Sequence, residues 1–378
     1  MGGIRRNQQL SECYWIEKMQ HPSSRILTPN EIRNLNRSIF YQCVEQGCMF
    51  DIRDMENVYG WGICVKRSDI RKRPIPYEKC SESEKDQLAA ILVNEPVVII
   101  RTSGDSQWYY IYTYYYGGWV KAEDIAQCRD YEEWIAAQEL HNPMVVLGSR
   151  VRQECNPYCK NLSQLELSMG TILEMDKSAD IEDVIAKRNV CCNYVVRIPI
   201  RDQEGRLLYR KAEIPVSADV SIGFLEYTAE NILKQAFKTL GEIYGWGGSL
   251  NSRDCSSLIS DVFACFAIKL PRDTSGLQML RGKNIYINIG NFPKEEKKKL
   301  LSSIRPGTIL GFPGHVMIYI GKEEGNFYVI NQVGHFCMKK SEELVTYQVN
   351  SCIVNDLNVL RKNGATWFDS LSYMLPLC

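Results

Sequence analysis

Cys255 occupies a position at which the surrounding sequence favours a nucleophilic thiolate. It follows a glycine-rich stretch, residues 245–251, and apolar residues at helical spacing begin directly after it. Those apolar residues are Leu258, Ile259, Val262, Phe263 and Phe266. Asp254 occupies the position of a helix N-cap, so Cys255 would lie in the first helical turn. The free N–H groups and the positive dipole end there favour a thiolate over a thiol, which predicts an activated nucleophile.

A cysteine nucleophile needs a base, and the chain contains only four histidines. His21 and His141 fall outside the C-terminal region that carries Cys255. His315 and His335 remain, and His315 opens a segment of alternating apolar residues that is typical of a β-strand. We therefore predict that His315 takes the proton from the cysteine.

A third residue would orient this histidine. A three-residue hairpin loop, residues 322–324, with Gly325 at the bulge position would pair His315 with Asn331 on the next strand. Directly opposed residues share one face of a sheet, and an Asn side chain can accept the imidazole N–H. The register is open by one residue, so Asn331 is the favoured third residue and His335 is the alternative.

The elements around these residues change in type along the chain. Residues 1–58 are typical of a polar helical segment, with a helix start at residues 28–31. Residues 59–130 and 140–216 each carry short β-rich runs divided by turn residues, which predicts two small all-β barrels. Residues 224–378 mix helices with antiparallel strands, an α+β pattern. The expected fold class is a multidomain chain with two all-β barrels and one α+β domain.

The first predicted barrel contains six tyrosines within residues 109–116. They can form the core and the cross-strand pairs of a barrel, or they can line an aromatic ligand groove. The first interpretation is favoured because aromatic residues are common in strands.

The composition argues against several classes of function. The formal net charge is zero and the isoelectric point is about 6.9, which is atypical of a nucleic-acid-binding protein. No apolar run reaches the ~18 residues of a membrane span, and the N-terminus lacks the apolar core of a signal peptide.

The 15 scattered cysteines favour a reducing, cytoplasmic compartment, with the cell envelope as the alternative if a signal was removed. Neither Cys43 and Cys48 nor Cys155 and Cys159 have the spacing or the His partners of a zinc site, so we expect no metal and no cofactor.

Three sequence blocks occur in an order that resembles the NlpC/P60 family of cysteine peptidases. They are residues 244–256 with their Trp-Gly-Gly and Arg-Asp-Cys-Ser runs, residues 270–274 followed by Gln278, and residues 314–321 with their Gly-His-Val run. The two predicted barrels are similar to the bacterial SH3 domains that precede this domain in γ-D-glutamyl-L-diamino-acid endopeptidases. The N-terminal helical segment resembles the stabilising segment of the same subgroup. The resemblance implies a papain-like catalytic domain.

The resemblance also implies catalytic roles for single residues. Cys255 is then the nucleophile and His315 the base. Asn331 stands where the family most often has a third polar residue that is His, and an Asn can still accept the imidazole N–H. Tyr244 matches the family tyrosine that helps to hold the oxyanion.

The implied substrate is a peptidoglycan peptide, L-Ala-γ-D-Glu-diamino acid, cut after the γ-linked D-Glu. Asp254 and Ser256 match the residues that read the free amine of an N-terminal L-Ala, and Thr274 matches a serine that touches substrate. Tyr116 is the expected tyrosine of the first SH3 domain at the site. Arg253 departs from the family pattern, and it is either a surface charge or a contact to a substrate carboxylate.

Two other functions stay open at this point. A papain-like domain can be an amidase or acyltransferase that passes its thioester to an amine or a lipid. The chain can also be a non-catalytic cell-wall-binding protein, in which the barrels bind and the cysteine domain is a relic. Intact Cys255, His315 and Tyr244 favour the peptidase. We expect it to act as a monomer, without binding nucleic acid or spanning a membrane.

Overall fold

A computed structural model describes residues 7–19, 27–75, 83–179, 184–282, 285–341 and 343–377. The chain divides into two compact units. The first, which we call the α+β unit, comprises Met1–Cys48, Glu226–Trp246 and Leu250–Cys378. The second, the β unit, comprises Met49–Leu225 and Gly247–Ser249. His21, which the sequence places far from the catalytic region, lies outside the described residues.

The N-terminal part of the α+β unit is helical. After a 3-10 turn at Asn7–Leu10 come helices α1 (Glu12–Glu17) and α2 (Pro29–Glu45). The predicted start of α2 is confirmed, because the Thr28 side chain accepts from the Glu31 N–H and the Glu31 carboxylate accepts from the Thr28 N–H. This reciprocal pair satisfies two N–H groups that a helix end would otherwise leave free.

The first part of the β unit is an antiparallel sheet with strand order β3-β2-β6-β5-β4-β1-β7. Its strands are β1 (Gly60–Cys64), β2 (Ser68–Arg71), β3 (Gln87–Ile91), β4 (Pro96–Thr102), β5 (Trp108–Tyr112), β6 (Gly117–Lys121) and β7 (Ile125–Gln127). The tyrosine-rich segment mostly serves packing here. Tyr109 and Tyr115 belong to the core, and Tyr110 contacts Trp119 across the β5–β6 pair at 5.4 Å between ring centres. Helix α3 (Tyr131–Ala136) follows this sheet.

The second part of the β unit is also all-β, as predicted. A five-stranded antiparallel sheet has the order β15-β14-β11-β8-β16, and two short hairpins, β9–β10 and β12–β13, accompany it. The sheet continues past the predicted boundary at residue 216, because residues 220–222 pair with β8. The strands are β8 (Pro143–Val146), β9 (Arg150–Arg152), β10 (Glu166–Ser168), β11 (Ile172–Met175), β12 (Val184–Ile185), β13 (Arg188–Asn189), β14 (Asn193–Arg201), β15 (Leu207–Pro215) and β16 (Val220–Ile222).

The rest of the α+β unit surrounds one antiparallel sheet with strand order β17-β22-β18-β19-β20-β21. The helices are α4 (Ala229–Phe237), α5 (Cys255–Ala264), α6 (Thr274–Met279), α7 (Lys294–Ser303) and α8 (Trp367–Ser370). The strands are β17 (Ile287–Asn288), β18 (Ile309–Phe312), β19 (His315–Glu323), β20 (Asn326–Lys340), β21 (Glu343–Asp356) and β22 (Tyr373–Leu375). The α+β character predicted for this region is therefore confirmed.

The N-terminal helices pack on this sheet within the same unit. Trp15 is buried, its ring centre lies 5.0 Å from that of Tyr328, and it leaves no room for a Cβ on Gly321. Gln9, Tyr14 and Lys18 all bond to the carboxylate of Glu323 at the end of β19. The N-terminal segment thus covers the end of the strand that begins with His315.

Trp15→Ala should therefore destabilise the α+β unit by about 3–5 kcal/mol, because it removes a large buried side chain and leaves a cavity over β19. The free energy of unfolding, measured by urea denaturation, checks this expectation. Tyr41→Ala is the matched control, since Tyr41 lies on α2 but is exposed, and it should change stability by less than about 1 kcal/mol. Equal losses in both variants would contradict the packing role.

Candidate active site

Cys255 is the first residue of helix α5, and its side chain is buried, at 8% exposed. Asp254 caps this helix, as predicted: its carboxylate accepts from the Ser257 N–H at 2.8 Å, and the Ser257 hydroxyl accepts from the Asp254 N–H at 2.8 Å. The backbone N–H groups of Ser256 and Val316 lie close enough to Cys255 to lower the pKa of its thiol. The sulfur is thus held between the start of α5 and the start of β19.

His315 is the residue immediately before Val316, and it is bonded to the predicted third residue. Its Nε2 lies 3.0 Å from Oδ1 of Asn331, which is fully buried. Asn331 Nδ2 donates to Asn355 Oδ1 at 2.8 Å, and Asn355 Nδ2 donates to the backbone carbonyl of Asp356 at 2.8 Å. His335, the alternative third residue, is exposed on β20. The geometry therefore supports Asn331 in this place.

The hairpin that carries these residues differs in register from the sequence prediction. The turn has two residues, Glu324 and Gly325, both with positive φ, where we expected a three-residue loop. Two-residue turns of this kind match the twist of the flanking strands. A bulge between Tyr319 and Gly321 adds a second shift.

These two shifts together leave the faces of the strands unchanged. The pair nearest to the first residue of β19 is Ile318 with Ile330. In the same register Met317 lies opposite Asn331, and His315 lies two residues before Met317. The predicted direct pairing is therefore wrong. Because side chains alternate with a period of two, both residues still share a face, and they meet diagonally.

Asp254 and Ser256 share a buried network with Arg272. The guanidinium of Arg272 makes two bonds to the Asp254 carboxylate, each 3.0 Å long, and a third of 3.0 Å to the Ser256 hydroxyl. Burial alone would raise the pKa of Asp254, but Arg272 and the N–H and hydroxyl of Ser257 hold it below its usual value. Asp254 therefore stays ionised next to the nucleophile.

Arg253 is only 4% exposed, so the expectation of a surface charge is wrong. Its guanidinium pairs with Glu242 and Asp261, at 2.7 Å each. A guanidinium committed to two carboxylates inside the protein does not support the predicted contact with a substrate carboxylate. Burial without these partners would carry a large desolvation cost, so the pairing explains why the residue is inside.

The remaining predicted site residues are more dispersed. Tyr244 is half-buried, and its backbone forms a β-bridge with Arg253, two residues before Cys255. Thr274 is the first residue of α6, whose N-cap is Asp273. Tyr116 belongs to the β unit, where its N–H donates to the Thr113 hydroxyl at 2.9 Å and its ring packs on the core. The roles of these three residues stay predictions.

Comparisons with known proteins match two segments of the chain to domain families. Residues 241–342 match the model of the NlpC/P60 family, a range that contains Cys255, His315 and Asn331. The chain carries an NlpC/P60 domain. Residues 84–121, which comprise strands β3 to β6 of the first sheet of the β unit, match an SH3 domain of the SH3b1 type, so this region carries a bacterial SH3 domain. A comparison with curated protein sequences found no match.

Two solved structures share the fold of the NlpC/P60 domain and its flanking regions. An NlpC/P60 endopeptidase from Photobacterium damselae subsp. piscicida aligns with a TM-score of 0.68 at 18% identity, covering 99% of this chain and 85% of that one. An NlpC/P60 family protein from Bacillus cereus ATCC 10987 aligns with a TM-score of 0.54 at 13% identity, covering 83% of this chain and 98% of that one. At these identities the likeness concerns the fold.

The predicted nucleophile Cys255 and the predicted base His315 are both neutral near pH 7. Burial and the neighbouring Asp254 raise the pKa of Cys255 to about 12, although the N–H groups of Val316 and Ser256 and the charge of Arg272 act in the opposite direction. Burial lowers the pKa of His315 to about 4, against the hydrogen bond that its imidazole donates to Asn331. The expectation that the helix start alone favours a thiolate is therefore wrong, because burial beside a carboxylate outweighs the N–H groups and the helix dipole.

Within the described ranges of the chain, no group of three or more His, Cys, Asp or Glu side chains could hold a metal ion. In the same ranges, no helix is long and apolar enough to cross a membrane.

Sequence reasoning missed two residues that complete this site. Arg272 was visible only as part of a motif block, because nothing in its local sequence shows that it folds back onto Asp254. Asn355 lies on β21, a strand without clean alternation that was not predicted. Arg272 contacts Asp254 and Asn355 contacts Asn331, and in both pairs the two residues are far apart in the sequence.

The lowered pKa of His315 should make folding sensitive to acid. From about pH 6.5 down to about pH 4, the unfolded chain binds a proton at this imidazole and the folded chain does not. The free energy of unfolding is therefore undiminished by His315 above about pH 6.5, and it decreases as the pH falls below that value. Between about pH 7 and pH 4.5, the wild type should lose about 1–2 kcal/mol more of its unfolding free energy than His315→Gln. Urea denaturation at both pH values measures this, and equal losses would contradict a buried neutral imidazole.

Proposed function

We propose that the NlpC/P60 domain is a cysteine endopeptidase that hydrolyses the bond between γ-D-Glu and the diamino acid of bacterial cell-wall peptides, with a preference for peptides that have a free N-terminal L-Ala. One observation carries the proposal. In the segment His315–Val316, the imidazole of the first residue is bonded to Asn331, and the backbone N–H of the second lies close enough to Cys255 to lower the pKa of its thiol. The thiol of Cys255 and the oriented imidazole of His315 therefore both belong to the region around the start of β19, which supports nucleophilic catalysis by cysteine.

The amide network assigns the tautomer of His315. Because Asn331 Nδ2 donates to Asn355, its Oδ1 is the atom that faces His315 Nε2. An oxygen accepts, so Nε2 carries the proton and Nδ1 is left with a lone pair. Asn331 thus prepares the imidazole as a base, the role that an Asn has in Cys-His-Asn proteases.

The reaction follows from this pair. The imidazole takes the thiol proton of Cys255 while the sulfur attacks the γ-carbonyl carbon of D-Glu, and the carbonyl oxygen becomes an oxyanion. The imidazolium then gives the proton to the amine of the diamino acid as the C–N bond breaks, leaving a γ-glutamyl thioester. A water molecule, deprotonated by His315, attacks this thioester and releases the acid and the thiol. The proposed oxyanion donors are the Cys255 N–H and Tyr244.

Asp254 supports recognition of the free amine, because it is ionised and adjacent to the nucleophile. An ammonium group would share this carboxylate with Arg272, and the Ser256 hydroxyl would offer a further acceptor. The described cysteines are all free thiols, which supports the proposal of a cytoplasmic enzyme. We further propose that it acts as a monomer on recycled fragments.

The purified full chain should release L-Ala-γ-D-Glu from the tripeptide L-Ala-γ-D-Glu-meso-diaminopimelate, as detected by mass spectrometry. Cys255→Ala should abolish release because it removes the attacking sulfur. Cys265→Ala is the matched control, since Cys265 is a buried thiol at the end of the same helix and should leave activity near the wild-type level. Undiminished release by Cys255→Ala would overturn the assignment.

Blocking the amine of L-Ala with an acyl group should lower kcat/KM by about 10- to 100-fold, the usual loss of one charge-assisted hydrogen bond. Equal cleavage of free and blocked peptides would remove amine recognition from the proposal.

Transfer of the dipeptide to an added amine in place of water would instead identify an acyltransferase. The corresponding Lys tripeptide, run in parallel, distinguishes the two diamino acids.

Asn331→Ala should lower kcat by about 10- to 100-fold, because the imidazole loses the acceptor that sets its orientation and tautomer. Asn331→His should retain more activity, since a second imidazole can also accept the N–H. Asn358→Ala, at an exposed Asn bonded to Asn326, is the control and should not change kcat. Wild-type kcat in Asn331→Ala would exclude an orienting role.

A further inference from the structure

Tyr373 contains a hydroxyl that the resting fold does not use. The residue opens strand β22 and is fully buried, and its ring stacks on Tyr286 at 5.7 Å with an interplanar angle of 12°. Its Oη has no hydrogen-bond partner in the described part of the chain. A phenylalanine would provide the same packing without burying an unpaired polar group, which costs folding free energy. The presence of this hydroxyl is therefore not explained by the packing of the resting protein, and we look for a partner that it gains during the reaction.

The ring of Tyr373 lies across the backbone of Gly311 on the neighbouring strand. A Cβ built on Gly311 would come within 2.2 Å of Cζ and 2.4 Å of Oη of Tyr373. Only glycine leaves this space open. Gly311 pairs with Tyr373 on one side and with Val316 on the other, so the three residues form one row across the sheet. The phenol extends along this row from β22 over β18, in the direction of β19.

The nucleophile lies at the far end of the same row. The N–H of Val316 lies close enough to Cys255 to lower the pKa of its thiol, and helix α5, which begins at Cys255, packs on β19, so the sulfur lies near the residue toward which the phenol extends. The electrostatics agree with this placement: burial raises the pKa of Tyr373, and Cys255, Tyr286 and Asp273 raise it further. Tyr373 consequently stays protonated and remains a donor across the range in which the enzyme would work.

We propose that Tyr373 is a positioning residue for the nucleophile, whose hydroxyl stabilises the negative sulfur of Cys255 when His315 takes its proton. The inference rests on the proposed cysteine chemistry and deepens it. In the resting site the sulfur is a neutral thiol and the hydroxyl has nothing to donate to. When charge develops on the sulfur, an unengaged donor in a water-poor site can turn toward it without first breaking another hydrogen bond. This explains why a tyrosine, and not a phenylalanine, fills the space over Gly311.

The test is the pH dependence of alkylation of Cys255 by iodoacetamide in Tyr373→Phe, followed by mass spectrometry of the modified peptide. The other ionisable groups around the sulfur, Asp254, Arg272 and His315, are unchanged in this variant. The alkylation rate should fall by about ten-fold near neutral pH, and the curve should move by about one pH unit toward higher pH, because one pKa unit is a ten-fold change in thiolate. The melting temperature should stay the same or rise, because an unpaired buried hydroxyl is removed.

Tyr319→Phe is the matched control. Tyr319 is a buried tyrosine on β19 of the same sheet, and burial alone raises its pKa, with no contribution from Cys255. Its removal should leave the alkylation curve unmoved. An unmoved curve in Tyr373→Phe as well, with a raised melting temperature, would overturn the proposal and leave Tyr373 as a packing residue.

The alkylation measurement needs no substrate, so the two proposals can fail separately. If the wild type cleaves no cell-wall peptide but Tyr373→Phe still moves the alkylation curve, the proposed substrate is wrong and the positioning role holds. If the wild type cleaves the tripeptide and Tyr373→Phe moves neither the alkylation curve nor kcat, the function holds and the role of Tyr373 does not.

Discussion

The buried carboxylate of Asp254 is the constraint on which the rest of the site depends. It caps α5 through the Ser257 N–H, it holds Arg272 with two bonds, and it adjoins Cys255 in the chain. Removing one partner of a buried ion pair leaves an uncompensated charge, so Asp254 and Arg272 have to be present together. The cap fixes where the helix begins, and that start decides where the sulfur lies relative to β19.

The same carboxylate makes the thiol harder to ionise. Burial and Asp254 raise the pKa of Cys255 more than the surrounding N–H groups and Arg272 lower it. A neutral thiol and a neutral imidazole avoid the cost of two buried charges in the resting protein. In the proposed reaction, charge forms only when the proton moves from Cys255 to His315, and the N–H groups near the sulfur act at that moment. The Tyr373 hydroxyl, extended over Gly311, fits this division between a neutral resting site and a charged intermediate.

The strands that carry His315 and Asn331 explain why a wrong pairing register still brings these two side chains together. Asn331 was identified through a hairpin pairing whose loop length was wrong and whose bulge was not foreseen. Asn331 still shares a face with His315 because the total shift is two residues, and the period of two returns the same side chains to the same face. A shift of one would have turned Asn331 away from His315. The strands β21 and β22, which provide Asn355 and Tyr373, were not predicted, since their exposed and buried residues do not alternate cleanly.

Local signals in the sequence determined the helix starts at Thr28 and Asp254, the α+β character of the C-terminal region, the all-β character of the middle, and the choice of Cys255 and His315. These features depend on neighbours within a few residues, which a linear pattern records. Tertiary structure alone decided that Arg253 is buried between two carboxylates, that Arg272 binds Asp254, and that the thiol is neutral. Such properties depend on burial and on partners that are distant along the chain, because the strength of an electrostatic interaction is set by the surroundings that folding creates.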